Sequence, residues 1–225
     1  RDWAEYPRIP APAIVLSDLH IPYHDVDWIE RVLEEGLRRG IRRVVLAGDI
    51  IDARSLAPWP AGDGHAFEEE LQLAQDMLRT LASAFEVHLF PGNHDDRLSR
   101  RLDRHLSVAT LYRYLVPEVH VYHHHHVYVG QGWLVAHPKG YSRVPGQPAY
   151  DLVAKYHVNV AIAHTHKWAV ARDRSGRYWV VETGIAAHPR WFEYIHKELR
   201  TAPAPQQGAL LILDDERPVP LHPQL

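Results

Sequence analysis

The chain has 225 residues, a formal net charge of −3 at pH 7, no cysteine and 18 histidines. Its length suits one α/β domain or at most two small ones. The charge gives no overall pull toward nucleic acid, so any polyanion affinity has to be local, and the missing thiols exclude disulfides, thiolate metal sites and a cysteine nucleophile.

No run approaches the ~18–20 apolar residues of a membrane helix, and no secretory signal is visible. A cytoplasmic protein with no membrane partner is expected. Residues 1–12, RDWAEYPRIPAP, are Pro-rich and read as an N-terminal arm. Residues 13–225 read as a single domain without linker or repeat.

AIVLSD, from Ala13, reads as a buried parallel strand, a short apolar run closed by a polar turn. DVDWIERVLEEGLRRG places Trp28, Ile29, Val32, Leu33 and Leu37 at helical spacing, and Gly40 ends it. IRRVVLAGD is the second strand, which makes a right-handed βαβ unit. A breaker-rich loop over 53–66 leads to the amphipathic helix FEEELQLAQDMLRTLASAF and the third strand EVHLFPGN. DDRLSRRLDRHLSVATLYRYL reads as one long helix. EVHVYHHHHVYVGQGWLVAHP reads as strand, strand, turn and strand, with GQG as the hairpin. A short helix PAYDLVAKYH, the strand VNVAIAHTH and two more strands, RYWVVETG and GALLILDD, follow. Helices separate the early strands and hairpins dominate late, so a pair of mixed sheets flanked by helices is expected.

Ligands of open α/β sheets bind beyond the carboxyl ends of the strands. There the sequence puts Asp18 and His20, Asp49 and Asp52, Asn93 with His94 and Asp95, His137, and His164 with His166. Carboxylate oxygen and imidazole nitrogen together suit a pair of hard or borderline metals. One carboxylate such as Asp49 is able to bridge two ions, and metals ~3.5–4 Å apart clamp and activate a water for in-line attack on phosphorus. The glycines before Asp49 and Asn93 allow tight turns.

The set SDLH, GDIID, GNHD, a lone His in a later strand and AHTH, spanning residues 14 to 166, resembles the calcineurin-like metallophosphoesterase superfamily. GNHDDRLSRRL is similar to a bacterial and phage branch of it. The resemblance implies an α/β fold, a four-layer α/β/β/α sandwich of two mixed sheets. It implies a first metal on Asp18, His20, Asp49 and His166, and a second on Asp49, Asn93, His137 and His164. His94 would be the general acid or a cation steadying the transition state, Asp95 would orient His94, and Asp52 would stand behind the ligands. Two divalent ions are implied, manganese first, with Fe, Zn, Ni or Mg as the others. The family's usual Gly before the last His-x-His is Ala163 here, and Pro138 follows His137 where Gly is usual.

The implied function is hydrolysis of phosphate esters by metal-activated hydroxide. GDIIDARS lacks the Arg-Gly of the protein phosphatases, which favours phosphodiesters, nucleotide or nucleic acid, over monoesters. A non-catalytic scaffold of the same fold is the alternative of another class. Arg97 is expected to touch substrate, while Arg100, Arg101 and Arg104 share its helical face. Lys139 and Tyr141 are further candidates, and Trp59 and Trp168 are possible walls. His123–His126 reads as a surface strand, since successive strand residues face opposite ways.

Overall fold

The computed structural model describes residues 6–58, 65–192 and 204–224. Among these residues two six-stranded sheets pack face to face, with five α-helices on the outside. One sheet holds β2 (Ala13–Leu16), β3 (Arg43–Ala47), β4 (Glu86–Phe90), β5 (His120–Val121), β11 (Ala209–Ile212) and β12 (Pro218–Leu221), in the order β12-β11-β2-β3-β4-β5. The other holds β1 (Arg8–Ile9), β6 (His126–Val129), β7 (Trp133–Ala136), β8 (Asn159–Ile162), β9 (Trp168–Arg172) and β10 (Trp179–Thr183), in the order β1-β6-β7-β8-β10-β9.

Strand alternation builds the layers. Val15, Val45 and Phe90 point between the sheets against Val127, Trp133 and Val181. Their neighbours Ile14, Leu16, Val44 and Leu89 point outward to α1 (Val26–Arg38), α2 (Phe67–Ala84) and α4 (Val108–Leu115). Leu134, Val160, Ile162 and Val180 point the other way, onto α5 (Gln147–Tyr156). The sequence therefore folds as α/β/β/α because its strands are apolar on both faces. β2, β3 and β4 run parallel, as do β7 and β8. The carboxyl ends of these five strands carry every motif of the expected site.

Four expectations change. The long helix after GNHD breaks into α3 (Asp96–Arg101) and α4, because Asp103 and Arg104 turn left-handed (φ 47° and 62°) and Ser107 caps a new helix. Arg104 therefore leaves the helical face it was expected to share. His123–His125 are not in a strand: they form the crossing from β5 to β6, in different sheets, and only His126 is in one. The arm is partly sheet, since Arg8 and Ile9 pair in parallel with Tyr128 and Val129 and Ile9 is fully buried. β9 and β12 are additional edge strands. No helix among the described residues is long and apolar enough to cross a membrane.

Candidate metal centre

Five of the expected donors sit in the left-handed region: Asp18 (φ 52°), His20 (46°), Asp49 (51°), His164 (79°) and His166 (58°). Non-glycine residues seldom adopt that conformation, and clusters of such strain mark functional sites. The turns are held from behind. Asp18 N–H donates to Gly48 O at 3.1 Å, His20 N–H to Asp49 O at 3.0 Å, and His164 N–H to Asp18 Oδ2 at 3.1 Å. Gly92 lies so close to the second motif that a Cβ there would overlap Asp49 Oδ1 and stand 2.5 Å from Asp49 N. Ala163, in contrast, points between the sheets into the core, so its methyl does not disturb the ligands that follow.

The expected donors form two sets, and His20, Asp52 and His94 make a third cluster beside them. Asp18, His20, Asp49 and His166 have ligand atoms all within 4.8 Å of one another, and so do Asp49, His137 and His164. Asn93 Oδ1 joins the second, 3.0 Å from His137 Nε2. Asp49 belongs to both sets.

The hydrogen bonds fix which ring nitrogens are free. His137 Nδ1–H donates to Ala47 O at 3.0 Å, which leaves the Nε2 lone pair aimed at Asn93 Oδ1 and, at 3.4 Å, Asp49 Oδ2. His20 Nδ1–H donates to Asp52 Oδ1 at 3.1 Å, which leaves its Nε2 facing His166 Nε2 at 3.0 Å and Asp18 Oδ1 at 3.8 Å. Lone pairs thus converge on two points. Asp49 Oδ2 is buried and has no hydrogen-bond partner. Buried polar atoms are nearly always satisfied, and an orphan carboxylate oxygen among this many ligand atoms is open to a cation. The donor chemistry therefore fits divalent metal.

Electrostatics agree. Burial would raise the Asp49 pKa, yet the charges of His137 and His94 hold it well below the ordinary carboxylate value. Burial would lower that of His137, yet the nearby Asp49 charge lifts it to about 10. A proton on His137 thus takes the place a cation fits. His164 goes the other way: burial, then the His137 charge, push it down to about 4. Its ring is neutral and ready to coordinate.

Around the donors, Asp52 joins His20 to His94, whose Nδ1 is 3.3 Å from Asp52 Oδ1 and 2.8 Å from Asp52 O. Burial would raise the Asp52 pKa, but the hydrogen bonds from His20 and His94 hold it far below normal. Arg97 donates to Asp52 O at 2.7 Å and lies 3.1 Å from His94 Nε2. Asp95 departs from expectation. It does not orient His94, because its oxygens are taken by Ile50 N–H (3.1 Å), Ile51 N–H (3.2 Å), Gly92 N–H (2.8 Å) and Tyr112 O–H (2.8 Å). Asp52 holds His94, and Asp95 ties the second and third motifs together.

The remaining candidates divide. Arg101 donates to Leu56 O and Ala57 O and so fastens the loop after the second motif. Lys139 lines the cavities beside Asn93 and His137. Tyr141 is more than half exposed, packs over the Lys167 ammonium and makes no hydrogen bond to the donors. Trp168 packs against Gly208 and His222 instead of facing the site. Trp59 lies outside the described residues. Three contributors went unforeseen: Tyr112 beneath Asp95, Phe192 against the His166 ring at 4.9 Å, and Glu70. Only the acidic first turn of α2 hinted at the last.

Glu70 Oε2 accepts from Ala53 N–H at 2.6 Å and pins the turn after Asp52. Burial lifts its pKa from 4.5 to about 7. The folded chain then keeps a proton that the unfolded chain loses, so this stabilisation is complete below pH ~4.5 and is lost as pH rises through ~7. In chelator, Glu70→Gln is expected to gain about 1–2 kcal/mol over wild type between pH 5 and 8, solvent screening included. Parallel denaturation curves at both pH values would refute this.

Layers and strand order define the class of fold: this is the α/β/β/α metallophosphatase sandwich. No family model matches the chain, and no curated protein matches it. Among solved structures, one is 12% identical with a TM-score of 0.54, covering 94% of this chain and 99% of its own. Yfce, a phosphoesterase from E. coli, is 17% identical over 94% of this chain and 99% of its own, with a TM-score of 0.46. Pseudomonas putida nuclease MPE is 16% identical over 93% and 87%, with a TM-score of 0.41.

Proposed function

We propose that the chain is a dinuclear metal phosphoesterase acting on phosphodiesters of nucleotide or nucleic-acid type. The observation that carries this reading is Asp49, a buried carboxylate common to two donor sets, with one oxygen unsatisfied. Asp18, His20, Asp49 and His166 would hold one ion and Asp49, Asn93, His137 and His164 the other, with manganese the first choice. Bound there, two divalent ions supply Lewis acidity and lower the pKa of water.

The chain's own groups do the rest. Asp52 and the Ala47 carbonyl fix the tautomers of His20 and His137. His94 stands at the rim on Asp52, and burial, which would lower its pKa, is outweighed by Asp49 and Asp52, so its protonated form is favoured. Arg97 lies against His94 Nε2. Facing a guanidinium N–H, that nitrogen accepts; a phosphate anion that draws the guanidinium away lets it take up a proton, as the raised pKa favours, and pass it to the leaving oxygen. The complete donor set speaks against a non-catalytic scaffold.

With Mn²⁺, bis-p-nitrophenyl phosphate is expected to be hydrolysed at least about tenfold faster than p-nitrophenyl phosphate, a difference of about 1.4 kcal/mol in barrier. Strict monoester preference would overturn the diester assignment, and turnover surviving in Asp49→Asn would overturn the site.

A further inference from the structure

Two cavities adjoin the second donor set and share His125, His137, Pro138 and Lys139. Their chemistry differs. The first, about 280 Å³, is lined by Arg100, Arg104, Lys139 and Ser99 and reaches Asn93 and His137. Its one carboxylate, Asp96, is 3.1 Å from His125 Nε2. The Arg104 and Lys139 side chains have no hydrogen-bond or ion-pair partner among the described residues, and both residues are exposed. Arg104 reaches this place because Asp103 and Arg104 turn left-handed and fold the end of α3 back, with Arg104 N–H donating to Ser99 O at 2.7 Å. The turn is an ordinary C-terminal closure of α3, and it sets the Arg104 guanidinium beside the site.

The second cavity, about 220 Å³, is lined by Tyr6, Tyr128, Tyr156, His126, Leu134 and Leu152. Tyr6, from the chain's arm, packs on His126 at 4.9 Å and on Tyr128 at 6.0 Å between ring centroids. Tyr6 and Tyr156 are each more than a third exposed. Cations next to the site and aromatic walls one step further out are complementary to a phosphate followed by a planar base.

We infer that these joined cavities bind one nucleotide unit of the substrate next to the scissile phosphate. Its phosphate lies among Arg100, Arg104 and Lys139, and its base lies against Tyr6, Tyr128 and Tyr156. The inference rests on the phosphoesterase reading and names its substrate class. It also gives the histidine run a role: His125 holds Asp96 away from the anion, and His126 backs Tyr6. The unit comes either from a free nucleotide or from a strand.

The test titrates the full chain calorimetrically with thymidine 3′,5′-bisphosphate, inorganic phosphate and a five-residue oligothymidylate. It also compares kcat/KM for thymidine 5′-(p-nitrophenyl phosphate) with that for bis-p-nitrophenyl phosphate. The bisphosphate is expected to bind at least about tenfold tighter than phosphate, as a base stack and an added charge contact provide. Arg104→Gln and Tyr156→Leu are each expected to remove most of that advantage and to lower the kcat/KM ratio about tenfold. A bisphosphate that binds no better than phosphate, or variants that lower both esters in parallel, would overturn the inference. Tighter binding of the oligothymidylate than of the bisphosphate assigns the cavities to a strand, and equal binding assigns them to a free nucleotide. If wild type cleaves neither ester, the phosphoesterase reading fails, while the calorimetric comparison still decides the cavities.

Discussion

Asp49→Asn is expected to lower kcat/KM on any phosphate ester by at least about 100-fold, a loss that changes behind metal ligands already reach. The same substitution should abolish the thermal stabilisation that divalent metal gives wild type. A ligand at 100 times its Kd adds about 2.7 kcal/mol, which for a domain of this size is roughly 5–10 °C in Tm. The reason lies in the shared position. Asp49 Oδ2 is buried without a hydrogen-bond partner, and its neighbours are His137 Nε2 at 3.4 Å and His20 Nε2 at 3.9 Å. Asparagine keeps the shape but removes the charge from both sets. Asp49 Oδ1 also accepts the His94 backbone N–H at 2.8 Å, so the variant must be shown to fold. Melting in chelator supplies that control, and a metal-induced shift persisting in the variant would count against the shared site.

Asp95→Ala is expected to cost about 3–5 kcal/mol of folding stability, read by urea denaturation in chelator. The carboxylate is fully buried and accepts from three backbone N–H groups and the Tyr112 hydroxyl. Each donor left without a partner costs about 1–3 kcal/mol, partly recovered by local relaxation. Burial and the nearby Asp49 charge raise the Asp95 pKa, so ionising it opposes part of this gain. Those bonds join the loops that present Asp49 and Asn93, so activity should fall along with stability. Had Asp95 served only to orient His94, its loss would reshape the pH–rate profile and leave denaturation almost unchanged. A stability loss below about 1 kcal/mol would refute the bracing role.

Asp18, His20, Asp49, Asn93, His164 and His166 were legible because each follows an apolar strand, and parallel strands deliver their carboxyl ends to one edge. His137 was legible for the same reason, since β7 runs parallel to β8. What lies between the motifs was not. The exchange of roles between Asp52 and Asp95 depends on contacts 42 to 45 residues apart in sequence, which no local pattern encodes. The break in the helix after GNHD hid in a continuous apolar period, although Ser107 had the chemistry of a cap. β9 escaped notice because its residues are half-buried and do not alternate strictly, and β12 because Pro218 and Pro220 argue against a strand anywhere but an edge. Of the two expected aromatic walls, Trp168 packs on Gly208 and His222, and Trp59 lies outside the described residues; the aromatics beside the site are tyrosines, one of them from the arm.

Counting bound manganese per chain after equilibrium dialysis, for wild type and Asp49→Asn side by side, probes the central claim most directly. Wild type should retain two ions and the variant at most one. An empty wild-type chain, or a variant that keeps both ions at undiminished affinity, would contradict it.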